Sequence, residues 1–209
     1  MKDKIKLNSE KMPKGLIEFY AMRVIYNFSY RIWAPLIAVF VLALGGSMLH
    51  LGQLIAVFGV SYAAGSYIIA KIGIRFRYKI LPIFYGLICI YSLALIFVTS
   101  IDQLYVVIGF GSLSSSIMGP GNQGIPLDFI ESKWYVLFQQ RLMMALALIA
   151  AIAGYLGGLY IHHSHTPTPH ITHEISVFRE IFITMFTFNL ILFFYSFYFL
   201  KRYNLKKSY

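Results

Sequence analysis

Long apolar runs alternate with short polar segments along this chain. The runs are about 20 residues long, carry almost no charge and lack the period-two alternation of half-buried strands. A helix of about 20 residues crosses the roughly 30 Å hydrocarbon core of a bilayer. The pattern therefore predicts an all-α membrane protein with six transmembrane helices, near residues 24–45, 52–70, 80–99, 104–127, 136–161 and 179–200.

The segment before the first run has a mixed character. Residues 16–23 combine apolar and aromatic side chains with Glu18 and Arg23, which is typical of a helix that extends into the membrane interface. The chain therefore divides into a cytoplasmic and interfacial segment, a transmembrane bundle and a basic cytoplasmic tail, at residues 1–23, 24–200 and 201–209.

Basic residues indicate which side of the membrane each span end occupies. Sixteen of the 18 Lys and Arg residues lie in four segments, 1–23, 71–79, 133–141 and 201–207. Cytoplasmic ends of membrane spans collect Lys and Arg, so six spans with these basic ends predict that both termini are cytoplasmic. We expect a multi-pass protein of the cell membrane, inserted in one orientation.

The composition narrows the function classes. A net charge of +10 at span ends fits contact with membrane lipids, and no nucleic acid partner is expected. With 58% hydrophobic and 12% charged residues, the chain is too apolar for a soluble domain. No nucleotide-binding loop, paired haem motif or catalytic triad is recognisable. An enzyme is therefore the weakest class, and no cofactor is predicted.

The loop after the second predicted span has a distinctive pattern of basic residues and glycine. Lys71, Gly73 and Arg75 form a pattern that resembles the loop between helices two and three of the major facilitator superfamily. Glycine permits a tight turn there, and the basic residues contact headgroups. Ala70 stands where the family has an aspartate that takes part in switching between states.

Two further stretches resemble the same family, the short external turn after Gly45 and Gly46 and a glycine-rich fifth helix with Gly154, Gly157 and Gly158. Small residues let neighbouring helices approach closely. Family members usually contain two six-helix halves, each built from two inverted three-helix repeats. The resemblance implies one such half.

A single half needs a second six-helix bundle to move a solute by alternating access. The steep charge bias disfavours an antiparallel pair. We expect a secondary transporter-like protein that moves a small solute as a parallel homodimer. The alternative is a non-catalytic membrane subunit of a larger hetero-complex.

Arg31 is the charged residue that lies furthest inside the first predicted span. It stands about eight residues into that span, or roughly 10 Å at 1.5 Å per residue. A charge at that depth is costly unless it pairs, reaches water or faces a cavity. Together with Asn27 and Tyr30 it forms a polar patch that could contact an anion or other substrate. The alternative is a side chain that extends to the interface and pairs with Asp128 or Glu131.

The fourth predicted span contains an unusual number of helix breakers. Pro120, Pro126 and three nearby glycines interrupt regular helix hydrogen bonding. Because broken helices often mark transporter binding sites, Asn122 and Gln123 are predicted to lie along the solute pathway. The alternatives are close helix packing or a helix that ends near Gly119.

Five histidines lie in the predicted external loop between the fifth and sixth spans. Imidazole is a ligand for Zn²⁺, Cu²⁺ or Ni²⁺, although no helical spacing or cysteine partner enforces a site. A metal site and a solvated loop therefore both remain open. The histidines are His162, His163, His165, His170 and His173.

The sixth predicted span carries two structural signals. Asn189 is predicted to hydrogen-bond across helices. The aromatic residues at 193–199, next to Lys201, are predicted to anchor this helix at the membrane interface.

Overall fold

A computed structural model describes residues 12–72, 77–119, 124–130, 132–164 and 171–203. These ranges are almost entirely helical and contain no strand. The α-helices are α1 (Lys14–Trp33), α2 (Ile37–Ala43), α3 (Met48–Ile72), α4 (Arg77–Ile96), α5 (Ile101–Ser116), α6 (Ser132–Ser164) and α7 (Ile171–Arg202).

Within the described ranges, five stretches of helix are long and apolar enough to cross a membrane. They are Lys14–Ala43, Met48–Lys71, Tyr78–Ile96, Trp134–Tyr160 and Ile175–Arg202. The predicted all-α architecture with long apolar helices is confirmed at this level. It is compatible with a multi-pass integral membrane protein.

The fourth predicted span, residues 104–127, is wrong in its extent. The helix in this region, α5, has 16 residues and ends at Ser116, a length of about 24 Å at 1.5 Å per residue. A turn follows, and a short 3-10 helix forms at Pro126–Asp128. The alternative of a helix that ends near Gly119 agrees with this arrangement.

The first predicted span is divided into two helices at a proline. Pro35 has no N–H group, and its ring crowds the carbonyl four residues earlier, which belongs to Arg31. A 3-10 helix at Ala34–Leu36 therefore separates α1 from α2. At its other end α1 begins at Lys14, which agrees with the predicted extension of the first helix.

The helices pair in a pattern with an internal repeat. The most extensive contacts join α4 to α7, α3 to α5 and α1 to α6, followed by α1 to α7 and α4 to α5. The helices form two units of three, in which α1 corresponds to α5, α3 to α6 and α4 to α7. The contact of α3 with α5 then corresponds to the contact of α6 with α1. Likewise, the contact of α1 with α7 corresponds to the contact of α5 with α4, and the contact of α4 with α7 corresponds to itself.

Two glycines permit close crossings at equivalent places in this repeat. A Cβ added to Gly65 of α3 would overlap the Ser116 hydroxyl of α5, and one added to Gly157 of α6 would overlap the carbonyl oxygen of Ile32 in α1. The predicted close approach in the fifth span is therefore confirmed at Gly157. It is not found at Gly158, where a Cβ would meet no atom within 4 Å.

Asn189 joins α7 to α4 inside the bundle. It is buried, and its Nδ2 donates a hydrogen bond to Oγ of Ser92 at 3.0 Å. The Ser92 hydroxyl in turn donates to the carbonyl of Ile88 at 2.5 Å. The predicted cross-helix hydrogen bond is confirmed.

Glu18 connects the start of α1 to the end of α7. Its carboxylate lies 3.0 Å from Nη1 of Arg202 and accepts hydrogen bonds from the hydroxyls of Tyr195 and Tyr203, each at 3.0 Å. Burial of the Tyr203 hydroxyl, followed by its hydrogen bond to Glu18, raises the pKa of Tyr203. The hydroxyl therefore stays protonated and keeps donating.

The aromatic residues near the end of α7 divide between the core and the surface. Phe199 is fully buried, and its ring centroid lies 6.3 Å from that of Phe19. Phe194, Phe197 and Tyr198 are exposed. These exposed rings are available for the predicted interfacial role, which stays a prediction, whereas Phe199 packs in the core.

Candidate functional site

One face of α1 carries polar side chains into a cavity between helices. Arg23, Asn27, Tyr30 and Arg31 are spaced by three or four residues or lie side by side, which places them on one side of the helix. All four line a cavity of about 310 Å³. The other helices contribute Phe58 and Tyr62 from α3, Phe84 and Tyr85 from α4, and Ser115 from α5.

Aromatic rings form much of the cavity wall. Tyr26 stacks on Tyr30 with 6.3 Å between ring centroids and meets Phe84 edge to face at 5.1 Å. Phe84 meets Tyr85 in the same way at 5.1 Å. These rings pack against one another and form a continuous aromatic wall beside the polar side chains of α1.

A smaller cavity continues from the first toward the break between α1 and α2. It has a volume of about 190 Å³ and shares Tyr30, Phe58 and Ser115 with the larger cavity. The Ser112 hydroxyl, which also lines it, donates a hydrogen bond to the carbonyl of Phe58 at 2.6 Å. The two cavities therefore follow α1 between α3, α4 and α5.

Arg23 is the buried charge of the larger cavity. Its side chain is only 9% exposed, and its Nη1 makes no hydrogen bond within the described part of the chain. The groups that interact with it electrostatically are the phenols of Tyr20, Tyr85 and Tyr135. None of these is a carboxylate, so the structure describes no counter-charge for this guanidinium.

Asn27 and Arg31 extend the polar face beyond Arg23. One N–H of the Asn27 amide donates to the carbonyl of Arg23 at 2.9 Å. Arg31 is exposed and forms no ion pair with Asp128 among the described residues. Asp128 instead accepts a hydrogen bond from the Tyr78 hydroxyl at 2.7 Å.

The structure brings together three of the five predicted pathway residues. Asn27, Tyr30 and Arg31 line the same cavity, while Asn122 and Gln123 lie outside the described residues. Glu131, the second proposed partner of Arg31, also has no described side chain.

The loop motif is described only in part. Lys71 lies in the last turn of α3, with its Nζ 4.4 Å from the centroid of the Tyr67 ring. Gly73 and Arg75 lie outside the described residues.

The histidine-rich segment is likewise described only at its start. His162 is exposed near the end of α6, and the side chains of the other four histidines lie outside the described part of the chain. The predicted metal site therefore stays a prediction.

The sequence pattern missed Arg23 as a site residue. Along the sequence, Arg23 is one of the basic residues at the start of the chain, because it precedes the most apolar part of the first span. The available signal was its spacing, since Arg23, Asn27, Tyr30 and Arg31 share one helix face.

A larger groove between α4 and α7 has a different character. Its volume is about 1050 Å³, and its lining is largely apolar, including Pro82, Leu190 and Phe197. An apolar groove of this kind suits lipid chains better than a polar solute.

No protein-family model, curated protein or solved structure matches this chain. Its long apolar helices are compatible with the class of multi-pass integral membrane proteins. Within that class, a cavity with two arginines, an amide and aromatic rings is chemically suited to a small polar solute.

Proposed function

We propose that this chain is one six-helix bundle of the major-facilitator type, which moves a small solute across the cell membrane by alternating access. The observation that carries the proposal is the repeated pairing of α1, α3 and α4 with α5, α6 and α7. Three crossings per repeat would invert the second repeat relative to the first, as in transporter halves of this type. In this arrangement α5 makes the fourth crossing, and both termini are cytoplasmic.

The position of the cavity supports a role in transport. Transporter sites typically lie at the interface between repeats. The cavity is lined by α1 and α5, which are the first helices of the two proposed repeats, and by α3 and α4. A solute held there would contact both repeats.

A second bundle is needed to enclose the solute pathway. Of the five apolar stretches, those of α3 and α6 are the least buried, and these two helices are equivalent in the repeat. Their free faces could therefore pack against another bundle. We propose that this bundle is a second copy of the chain in parallel orientation; the alternative is a different polypeptide in a hetero-complex.

Accessibility of single cysteines from each side of the membrane tests alternating access. The native Cys89 is buried and can be replaced by alanine to provide a background. Asn27→Cys and Ser115→Cys would then place thiols in the cavity, while Val106→Cys on α5 provides a matched control at a side chain that is 73% exposed outside it.

Alternating access predicts that the cavity thiols react with a charged, membrane-impermeant reagent in both right-side-out and inverted vesicles. The control thiol is expected to react in neither, because it faces lipid in this proposal. Cavity thiols that react from one side only would contradict alternating access.

Cross-linking and mass measurement in mild detergent test the assembly. A particle containing two copies of the 23.9 kDa chain supports the homodimer. A stable complex with other polypeptides would favour the non-transporting subunit, and a monomer under all conditions would contradict both assemblies.

A further inference from the structure

Arg23 has a property that transport of an unspecified solute does not explain. Its guanidinium is buried beside a cavity, and Nη1 has no hydrogen-bond partner in the described part of the chain. Burial of an unpaired charge carries a free-energy cost, because the lost hydration is not replaced. A ligand that brings a negative charge into the cavity would remove this cost.

The surrounding side chains do not neutralise Arg23. The groups that interact with it electrostatically are phenols and not carboxylates, and the hydroxyl of Tyr20 also lacks a hydrogen-bond partner among the described residues. The described lining contains no carboxylate and includes a second cation, Arg31. Glu18, the nearest carboxylate to Arg23 along α1, is bonded to Arg202 at 3.0 Å. The cavity therefore carries an excess of positive charge.

We propose that this cavity binds a small oxyanion, with Arg23 as its main contact and Asn27 and Arg31 as additional contacts. A guanidinium presents parallel N–H groups that match two oxygens of a phosphate or carboxylate. The volume of about 310 Å³ is at the lower end of the range for small-molecule sites. Where it concerns transport, the inference rests on the proposed function and specifies that the transported solute is an anion.

The same chemistry could come from two sources, a free anion or the phosphate of a lipid headgroup. Binding should therefore be measured first on the full chain in a neutral, lipid-depleted detergent. Inorganic phosphate and succinate are the probes, titrated at constant ionic strength against chloride.

Arg23→Gln is the test variant, and Arg141→Gln is the matched control. Arg141 is exposed on α6 and does not line the cavity. For a site that takes a free anion, at least one probe should bind the wild-type protein, and Arg23→Gln should weaken that binding by about tenfold or more, the effect of losing a charge-assisted hydrogen-bond pair. Arg141→Gln should stay within about twofold of wild type, because Arg141 is exposed to screening by salt and does not line the cavity.

Nanodiscs of neutral or anionic lipid distinguish the two sources. Probe binding in neutral nanodiscs identifies a free anion. Retention of anionic lipid by the wild-type protein but not by Arg23→Gln, without binding of either probe, identifies a headgroup. Both results support an oxyanion site.

A second measurement covers the case in which Arg23→Gln does not fold. Phenylglyoxal modification of the wild-type protein, mapped by mass spectrometry, should become slower at Arg23 in the presence of the bound anion and stay unchanged at Arg141. An unchanged rate at Arg23 would overturn the proposal.

The anion site and the transport function can fail separately. If wild-type protein binds neither probe and retains no anionic lipid, or if Arg23→Gln binds the anion as tightly as wild type, the anion site is refuted. Anion binding without movement of solute would refute transport and leave the site standing. Uptake of a neutral solute, with no anion bound, would support transport and refute the anion site.

Discussion

Replacing Gly157 by alanine tests how closely α6 crosses α1. A Cβ at this position would overlap the carbonyl oxygen of Ile32, a backbone atom that cannot rotate away. At the next residue, Gly158, a Cβ would meet no atom within 4 Å. Gly158→Ala is therefore a matched control on the same helix.

The expected magnitude follows from two opposing terms. Each substitution gains helix propensity of about 1 kcal/mol, because alanine replaces glycine in a helix interior. Only Gly157→Ala must also push two helices apart, and overpacking of this kind costs about 1–3 kcal/mol. The free energy of unfolding is therefore expected to be about 1–3 kcal/mol lower for Gly157→Ala than for Gly158→Ala, since the propensity gain cancels in the comparison.

Titration of the purified protein with SDS in mixed micelles, followed by helical circular dichroism, measures this difference. Equal free energies of unfolding for the two variants would refute the close crossing. The repeat in the fold predicts the same result on α3, where Gly65 meets Ser116 and the carbonyl of Leu113, while a Cβ at Gly59 has no atom within 4 Å. Gly65→Ala should therefore be less stable than Gly59→Ala.

Three further outcomes are expected, two from described contacts and one from the proposed six crossings. A double-mutant cycle of Asn189→Leu and Ser92→Ala should give a coupling of about 0.6 kcal/mol, up to about 1.7, in the same unfolding titration; zero coupling would contradict their hydrogen bond. Glu18→Gln should destabilise the protein more at low salt than at high salt, because the Arg202 partner is 46% exposed and salt screens the pair; an effect independent of salt would contradict a role for this ion pair. Reporter fusions at the two ends should place both termini in the cytoplasm, and opposite locations would contradict six crossings.

Several elements of the fold could be predicted because few backbone structures can span a bilayer. In hydrocarbon, backbone N–H and C=O groups must bond internally, so a long apolar run predicts a helix. The cross-helix hydrogen bond of Asn189 was predictable for a related reason, since a buried amide needs a partner. Its partner Ser92 is 97 residues away in sequence, and no local pattern identifies it.

The candidate site could be predicted only in part. Asn27, Tyr30 and Arg31 stood out because they are polar within an apolar run, and they do line one cavity. The position of a residue within an apolar run does not determine its burial in the fold, however. Arg31 is exposed, whereas Arg23, nearer the chain end, is covered by other helices.

The sequence by itself determined the helical class, the approximate positions of most apolar helices and the polar face of α1, because these depend on residues close together along the chain. The tertiary structure decided where α5 ends, which helices pair and which arginine is buried. These properties depend on contacts between distant segments, whose packing determines whether a side chain meets lipid, protein or an open cavity.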